Sequence, residues 1–74
     1  MTITVYRLPD CRQCTWTERD LTRHGLDFDV VDLQEHPELV ARFKEEGLLS
    51  APIVIAGDER WSGLRPDLIE RLAA

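Results

Sequence analysis

The sequence predicts one α/β domain, residues 1–74, in which three helices flank a four-stranded mixed sheet in the order βαβαββα. Two observations predict this fold. Four short segments rich in apolar residues have the alternation or continuity of strands. Between and after them run segments with helical spacing of apolar residues, whose ends are marked by proline and glycine.

The N-terminal segment predicts a strand followed by a helix. Thr2–Tyr6 alternates polar and apolar residues and is rich in β-branched types, as is typical of a strand. Pro9 then interrupts the pattern with turn chemistry. A helix is expected from residue 11 or 12 to about His24, with Leu21 on its inner stripe and Gly25 as its C-terminal cap.

The middle of the chain predicts a second strand and a second helix. Asp27–Leu33 is the strand, with Phe28 and Val30 on one side. Pro37 suits the first turn of the helix, and Gly47 ends it. Because a helix joins this strand to the first one, the two strands should be parallel with a right-handed connection.

The C-terminal part predicts a hairpin and a last helix. Ile53–Ala56 is a continuous apolar run directly after Pro52, which predicts a central strand covered on both faces. Gly57–Asp58 makes a turn, so that Arg60–Ser62 returns as a short strand. Pro66 opens the final helix.

Charge and composition exclude several function classes. Nine basic residues against fourteen acidic ones give a net charge of −5, whereas nucleic-acid-binding proteins need a basic face. No stretch approaches the ~18 apolar residues that span a bilayer, and the N-terminus lacks the pattern of a signal peptide. We therefore expect a cytoplasmic protein with no nucleic-acid or membrane partner, and we take a monomer as the default state.

The two cysteines carry the strongest functional signal. Cys11-Arg12-Gln13-Cys14 follows a strand and a proline turn and opens a helix. A disulfide across so short a loop constrains the unfolded chain little, so the pair is better suited to chemistry than to structure. The N-terminus of a helix lowers the pKa of a thiol there, from about 8.5 into the range of about 3.5–7.5 in Cys-x-x-Cys motifs.

These positions predict different roles for the two thiols. Cys11 is expected to attack a partner disulfide, and Arg12 adds a positive charge that stabilises its thiolate. Cys14 lies one turn into the helix, should be more buried, and resolves the mixed disulfide. Another reductant must then regenerate the dithiol.

Two other interpretations of these residues stay open. A zinc site would use Cys11, Cys14, His24 and His36, but their spacing does not fit a finger-type site. About ten residues of helix also separate His24 from Cys14 by about 15 Å, so we expect no metal. A redox-sensing module would use the same disulfide to switch a protein interaction without turnover.

Three segments together resemble the glutaredoxin-like NrdH-redoxins, a family with the thioredoxin fold. They are the proline turn with Cys-x-Gln-Cys, the strand entry Leu49–Val54, and the block Trp61–Asp67. The block reads Trp-Ser-Gly-Leu-Arg-Pro-Asp and is the most specific match, with Leu64 in place of the family's Phe. The resemblance covers essentially the whole chain.

The resemblance implies a function and further site residues. Such proteins pass electrons from NADPH, through thioredoxin reductase, to class Ib ribonucleotide reductase, with no bound cofactor beyond the redox-active Cys11–Cys14 disulfide. Pro52 matches the cis-proline of the fold, which would turn the backbone of Ala51 towards Cys11 to pair with a partner peptide. The other expected partner-binding residues are Gln13, Trp61, Ser62, Gly63 and Arg65, together with Arg12, which stands where the family commonly has Val or Met.

Alternatives remain for the function and for two of these residues. Trp61 would otherwise be a core aromatic, and Arg65 a solvated side chain. A glutathione-dependent glutaredoxin is the alternative within the same chemistry, but this chain lacks the Cys-Pro-Tyr-Cys, lysine and Gly-Gly of typical members. Leu8 stands where a basic residue is frequent, with Arg7 as a substitute. Together with Arg12 and Arg65, Arg7 could still attract the carboxylates of glutathione.

Overall fold

A computed structural model describes all residues from 1 to 74. The strands are β1 (Ile3–Arg7), β2 (Asp29–Asp32), β3 (Ile53–Ala56) and β4 (Glu59–Ser62), and the helices are α1 (Arg12–Arg23), α2 (Pro37–Glu45) and α3 (Pro66–Ala73). A 3₁₀ turn, Leu33–Glu35, follows β2. The βαβαββα order is the expected one. None of the helices is long and apolar enough to cross a membrane, and the longest, α1, has 12 residues.

The four strands form one mixed sheet in the order β2-β1-β3-β4. Strand β1 pairs with β2 in parallel and with β3 antiparallel, so that Val5 lies between Val30 and Val54. Strands β3 and β4 form an antiparallel hairpin. The predicted parallel pair, hairpin and central β3 are therefore confirmed.

Hydrophobic cores of different size lie on the two faces of the sheet. The face covered by α1 and α3, called the α1/α3 face below, holds seven buried residues: Ile3, Val5, Leu21, Val54, Ala56, Trp61 and Ile69. The opposite α2 face holds three, which are Leu33, Phe43 and Ile53. There the rings of Tyr6 and Phe43 pack edge to face, with 5.0 Å between their centroids.

The end of α1 shows why glycine is needed there. Gly25 has a φ of +72°, which an L side chain rarely adopts. Its N–H donates to the carbonyl of Thr22 at 2.9 Å, and that of Leu26 donates to the carbonyl of Leu21 at 3.0 Å. These bonds make a Schellman motif, which satisfies carbonyl groups that the helix leaves unpaired.

The second strand is shorter than the sequence predicts. Instead of residues 27–33, β2 has four residues and lies at the edge of the sheet. Val30 is 48% exposed there, because an edge strand has only one neighbour. Leu33 leaves the strand for the 3₁₀ turn, where the side chain of Asp32 accepts a 2.8 Å hydrogen bond from the N–H of Gln34.

Candidate active site

The two cysteines lie where β1 passes into α1. Cys11 is the N-cap of the helix, and Cys14 is in its first turn. They form a disulfide, with 5.2 Å between their Cα atoms. The preceding turn includes Asp10, whose φ of +56° is a conformation that Asp tolerates better than most residues. Local chain geometry therefore assembles the pair.

The two sulfur atoms have different surroundings. Cys14 has no exposed surface, whereas Cys11 is half-buried. The N–H of Cys14 donates to the Cys11 Sγ at 3.1 Å, and the positive end of the α1 dipole lies beside that sulfur. Both effects stabilise a thiolate on Cys11 once the disulfide is reduced. A partner can therefore reach Cys11, while Cys14 faces only Cys11 and the interior.

The loop before β3 forms one wall of the site. The Ala51–Pro52 peptide bond is cis. The carbonyl oxygen of Ala51 lies 3.9 Å from the Cys11 Sγ. Pro52 is buried, and its carbonyl accepts a 2.8 Å hydrogen bond from the N–H of Gly63. The helix start and this loop therefore meet at Cys11, and the end of β4 supports the loop through the hydrogen bond from Gly63.

The Trp61–Asp67 block divides between this wall and the core. Ser62 pairs with Ile53 in the sheet, and Gly63 turns the chain beside Pro52 with a φ of +81°. Trp61 is only 4% exposed and belongs to the core of the α1/α3 face. Its ring therefore lies in the core instead of on the expected rim, because its side of β4 faces the helices.

Arg65 is exposed and bound to a neighbour. Its guanidinium donates hydrogen bonds of 3.1 and 3.0 Å to the two carboxylate oxygens of Asp67. These bonds lower the pKa of Asp67 below its usual 3.8 and raise the pKa of Arg65. Arg65 therefore serves first as the ion-pair partner of a residue in the first turn of α3.

A groove of about 660 Å³ opens beside Cys11 along the outer side of α1. We call it the arginine groove, and its lining residues are Arg7, Asp10, Cys11, Arg12, Thr15, Trp16 and Arg19. Arg7 is also ion-paired with Glu18. The ring of Trp16 packs partly against the core, and the guanidinium of Arg23 lies 5.9 Å from its centre. One aromatic and three cationic side chains thus border the groove.

Sequence reasoning identified only part of this groove. Arg12 is an expected contact residue, whereas Thr15 and Arg19 are not. The spacing of Arg12, Trp16 and Arg19, four and then three residues apart, places them on one helix face and is the signal in the sequence. Arg7 joins them from β1, which only the tertiary structure reveals. Gln13, another expected contact, is exposed.

Neither histidine approaches the cysteine pair. The Nδ1 of His24 lies 2.9 Å from the carbonyl oxygen of Asp20, at the far end of α1. The Nδ1 of His36 lies 3.1 Å from a carboxylate oxygen of Glu38. No three His, Cys, Asp or Glu side chains gather where they could hold a metal ion. The four ligands considered for zinc are thus not brought together.

Comparisons with known proteins agree with this geometry. The glutaredoxin family model matches residues 3–61. The glutaredoxin-like protein NrdH of Escherichia coli (strain K12) is 43% identical over 72 residues, which cover 97% of this chain and 89% of that protein. The chain belongs to the glutaredoxin-like NrdH family. The NrdH protein of Lactococcus lactis subsp. lactis (strain IL1403) is 35% identical over 71 residues, covering 96% of this chain and 99% of that protein.

The solved structure of NrdH-redoxin from Escherichia coli has the same fold. Its TM-score is 0.92 at 43% identity, and the match covers 97% of this chain and 95% of that chain. The thioredoxin fold implied by the resemblance is thereby confirmed. As an NrdH-family member with a Cys11–Cys14 pair, the chain is a thiol–disulfide oxidoreductase.

Proposed function

We propose that this NrdH-family chain carries electrons from NADPH, through thioredoxin reductase, to a class Ib ribonucleotide reductase. The main support is its similarity, over nearly its whole length, to Escherichia coli NrdH-redoxin. That glutaredoxin-like protein is described as having a thioredoxin-like activity profile. A thioredoxin-like profile favours a reductase over glutathione as the electron source, and no bound cofactor is then needed besides the disulfide.

The cysteine geometry supports exchange in two steps. In the dithiol form, the Cys11 thiolate attacks one sulfur of the partner disulfide, and the other partner sulfur leaves as a thiolate that takes up a proton. Cys14 then loses its proton and attacks the Cys11 Sγ, which releases the first partner sulfur as a second thiol. Two electrons and two protons pass to the partner, and the chain is left with the Cys11–Cys14 disulfide.

The loop at Ala51 is suited to hold the partner during this exchange. Its backbone is half-buried beside Cys11, so an extended peptide can pair with it as an added strand. The hydrogen bond from the N–H of Gly63 to the carbonyl of Pro52 holds this loop in position. We assign Ser62 and Gly63 to partner binding because they support this loop. We assign Arg12 to partner binding because of its positive charge.

Regeneration completes the cycle. Thioredoxin reductase, with NADPH as the source of two electrons, returns the disulfide to the dithiol in this proposal. A cytoplasmic setting and a monomeric state stay predictions.

NADPH oxidation in the presence of a disulfide substrate tests the electron source. One assay contains thioredoxin reductase, and the other contains glutathione with glutathione reductase. We expect turnover with thioredoxin reductase alone, followed by turnover with a class Ib ribonucleotide reductase as substrate. Turnover only with glutathione would identify a glutathione-dependent glutaredoxin. Turnover with neither would favour the redox-sensing module, whose partner affinity changes on oxidation.

Serine variants test the roles of the two thiols. Cys11→Ser and Cys14→Ser should each lower turnover by about 10³-fold or more, because the two thiols act as a unit. With a disulfide substrate, Cys14→Ser should accumulate a mixed disulfide on Cys11 that mass spectrometry detects. Cys11→Ser should accumulate none, since Cys14 is fully buried. A mixed disulfide on Cys14 would reverse the assignment.

A further inference from the structure

We propose that the arginine groove binds an acidic segment of the substrate protein next to its disulfide. This inference rests on the proposed function, because it names the kind of protein that the dithiol reduces. The groove begins at Cys11 itself. Residues that flank a disulfide bound at Cys11 therefore lie within reach of the groove.

The cations of the groove differ in their pairing. Arg7 is paired with Glu18, whereas Arg12 and Arg19 take part in none of the ion pairs of the structure. Asp10 is the one carboxylate in the lining. Arg12 and Arg19 lie about 10 Å apart along the helix axis, which is about three residues of extended chain. Each guanidinium has five N–H donors in a geometry that matches a carboxylate.

This basic strip contrasts with the net charge of the molecule. The chain carries a charge of −5, yet four of its nine cationic side chains line or adjoin the groove: Arg7, Arg12, Arg19 and Arg23. An acidic partner is repelled by the molecule as a whole and attracted at this strip. Such a charge distribution orients an approaching partner more than it raises the final affinity. The orientation it favours brings the partner to Cys11.

Trp16 indicates that the ligand of the arginine groove is a peptide and not a small anion. Its ring forms an uncharged surface between Arg12 and Arg19, and core packing and Arg23 hold it in place. A side chain that is already fixed loses little conformational entropy when a partner covers it. Carboxylates of the peptide can thus bind the two arginines while its backbone and apolar atoms cover the indole.

A pair of peptides tests the proposal. Both peptides have the same length and one intramolecular disulfide. Asp and Glu flank the cysteines in one peptide, and Asn and Gln stand in place of these acidic residues in the other. Pre-reduced protein is mixed with each peptide, quenched with acid at set times, and analysed by chromatography. We expect the acidic peptide to be reduced about tenfold faster at low salt. The ratio should approach one at about 0.5 M KCl, because salt screens the charges.

Two double variants locate the effect. Arg12→Gln with Arg19→Gln removes the two unpaired cations of the groove. Arg42→Gln with Lys44→Gln is the matched control, since it removes two exposed, unpaired cations of α2 and changes the net charge equally. The ratio of the two rates is compared within each variant, so that a change in the reactivity of Cys11 cancels. We expect the ratio to fall to about two in the groove variant and to stay near ten in the control.

Each contrary result has a distinct meaning. A ratio near one in the wild-type chain would overturn the proposal, because the groove would then have no preference for acidic segments. An equal fall in both double variants would also overturn it and would attribute the preference to net charge. If neither peptide were reduced by the pre-reduced protein, the dithiol function itself would fail. Reduction of both peptides at one rate would leave that function standing.

Discussion

The α1/α3 face and the α2 face of the sheet differ in how they are built. Seven buried residues from three strands and two helices form the core of the first, whereas only three, one of them on α2 itself, form the core of the second. Cys14 lies on the first of these helices and is fully buried. The redox pair therefore lies at the start of a helix that packs, through Leu21, on the larger of the two cores.

The largest expected effect is a loss of stability when the same type of side chain, leucine, is shortened on each of the two faces. Leu21 in α1 is fully buried, whereas Leu39 in α2 is half-buried. We expect Leu21→Ala to lower the free energy of unfolding by about 3 kcal/mol and Leu39→Ala by about 1 kcal/mol. Urea denaturation of the oxidised protein measures both. Equal losses would mean that the two faces contribute alike despite their different cores.

A second pair of variants, at two glycines, separates the effect of backbone strain on stability from the effect of packing. Gly63 and Gly47 have φ values of +81° and +80°, with open space where a Cβ would lie. Replacing either by Ala should cost about 1 kcal/mol of stability, whichever face is near. A backbone shift at position 63 would displace the N–H that donates to Pro52, so only Gly63→Ala should slow peptide reduction, by about threefold.

Denaturation midpoints and single-turnover rates check this pair. Gly47→Ala, at the end of α2, is the control for a general loss of stability. Slower reduction in both variants would show that the lost stability, and not the loop at Pro52, limits the exchange.

The smallest expected effect concerns one exposed carboxylate on each face. The backbone N–H of Glu38 and then His36 lower the pKa of Glu38, and Arg65 lowers that of Asp67. A lowered pKa gives stability that is present above the usual values of 4.5 and 3.8 and is lost as the pH falls through the lowered ones.

Amide variants remove this pH dependence. Glu38→Gln and Asp67→Asn should each lose slightly less stability than the wild-type chain between about pH 7 and pH 2, and salt should reduce the difference. Denaturation midpoints across this range measure it. A variant that loses more stability in acid than the wild-type chain would contradict the direction of the pKa shift.

The helices and most strands follow from the sequence because their signals are local. Pro37 and Pro66 open α2 and α3, and Gly25 follows the end of α1, all as predicted. The early end of β2 was not predictable from alternation, because it depends on an edge position and on the capping side chain of Asp32.

The site is less predictable where it depends on tertiary contacts. The geometry of Cys11 and Cys14 follows from their place at a helix start. Whether Trp61 faces the core or the rim depends on its pairing opposite Val54. Asp20 is only 3% exposed, and the ion pair with Arg23 that accompanies its burial does not show in the spacing of apolar residues.

The central position of β1 also affects how the chain acquires its shape during synthesis. This strand is made first, but its neighbour β3 follows roughly 50 residues later, and contacts so distant in sequence form slowly. Until residue 56 has emerged from the ribosome, β1 lacks one neighbour, and Ala51 cannot close over Cys11. Until then the Cys11 thiol of the nascent chain lacks the wall that the loop at Ala51 forms beside it in the folded protein.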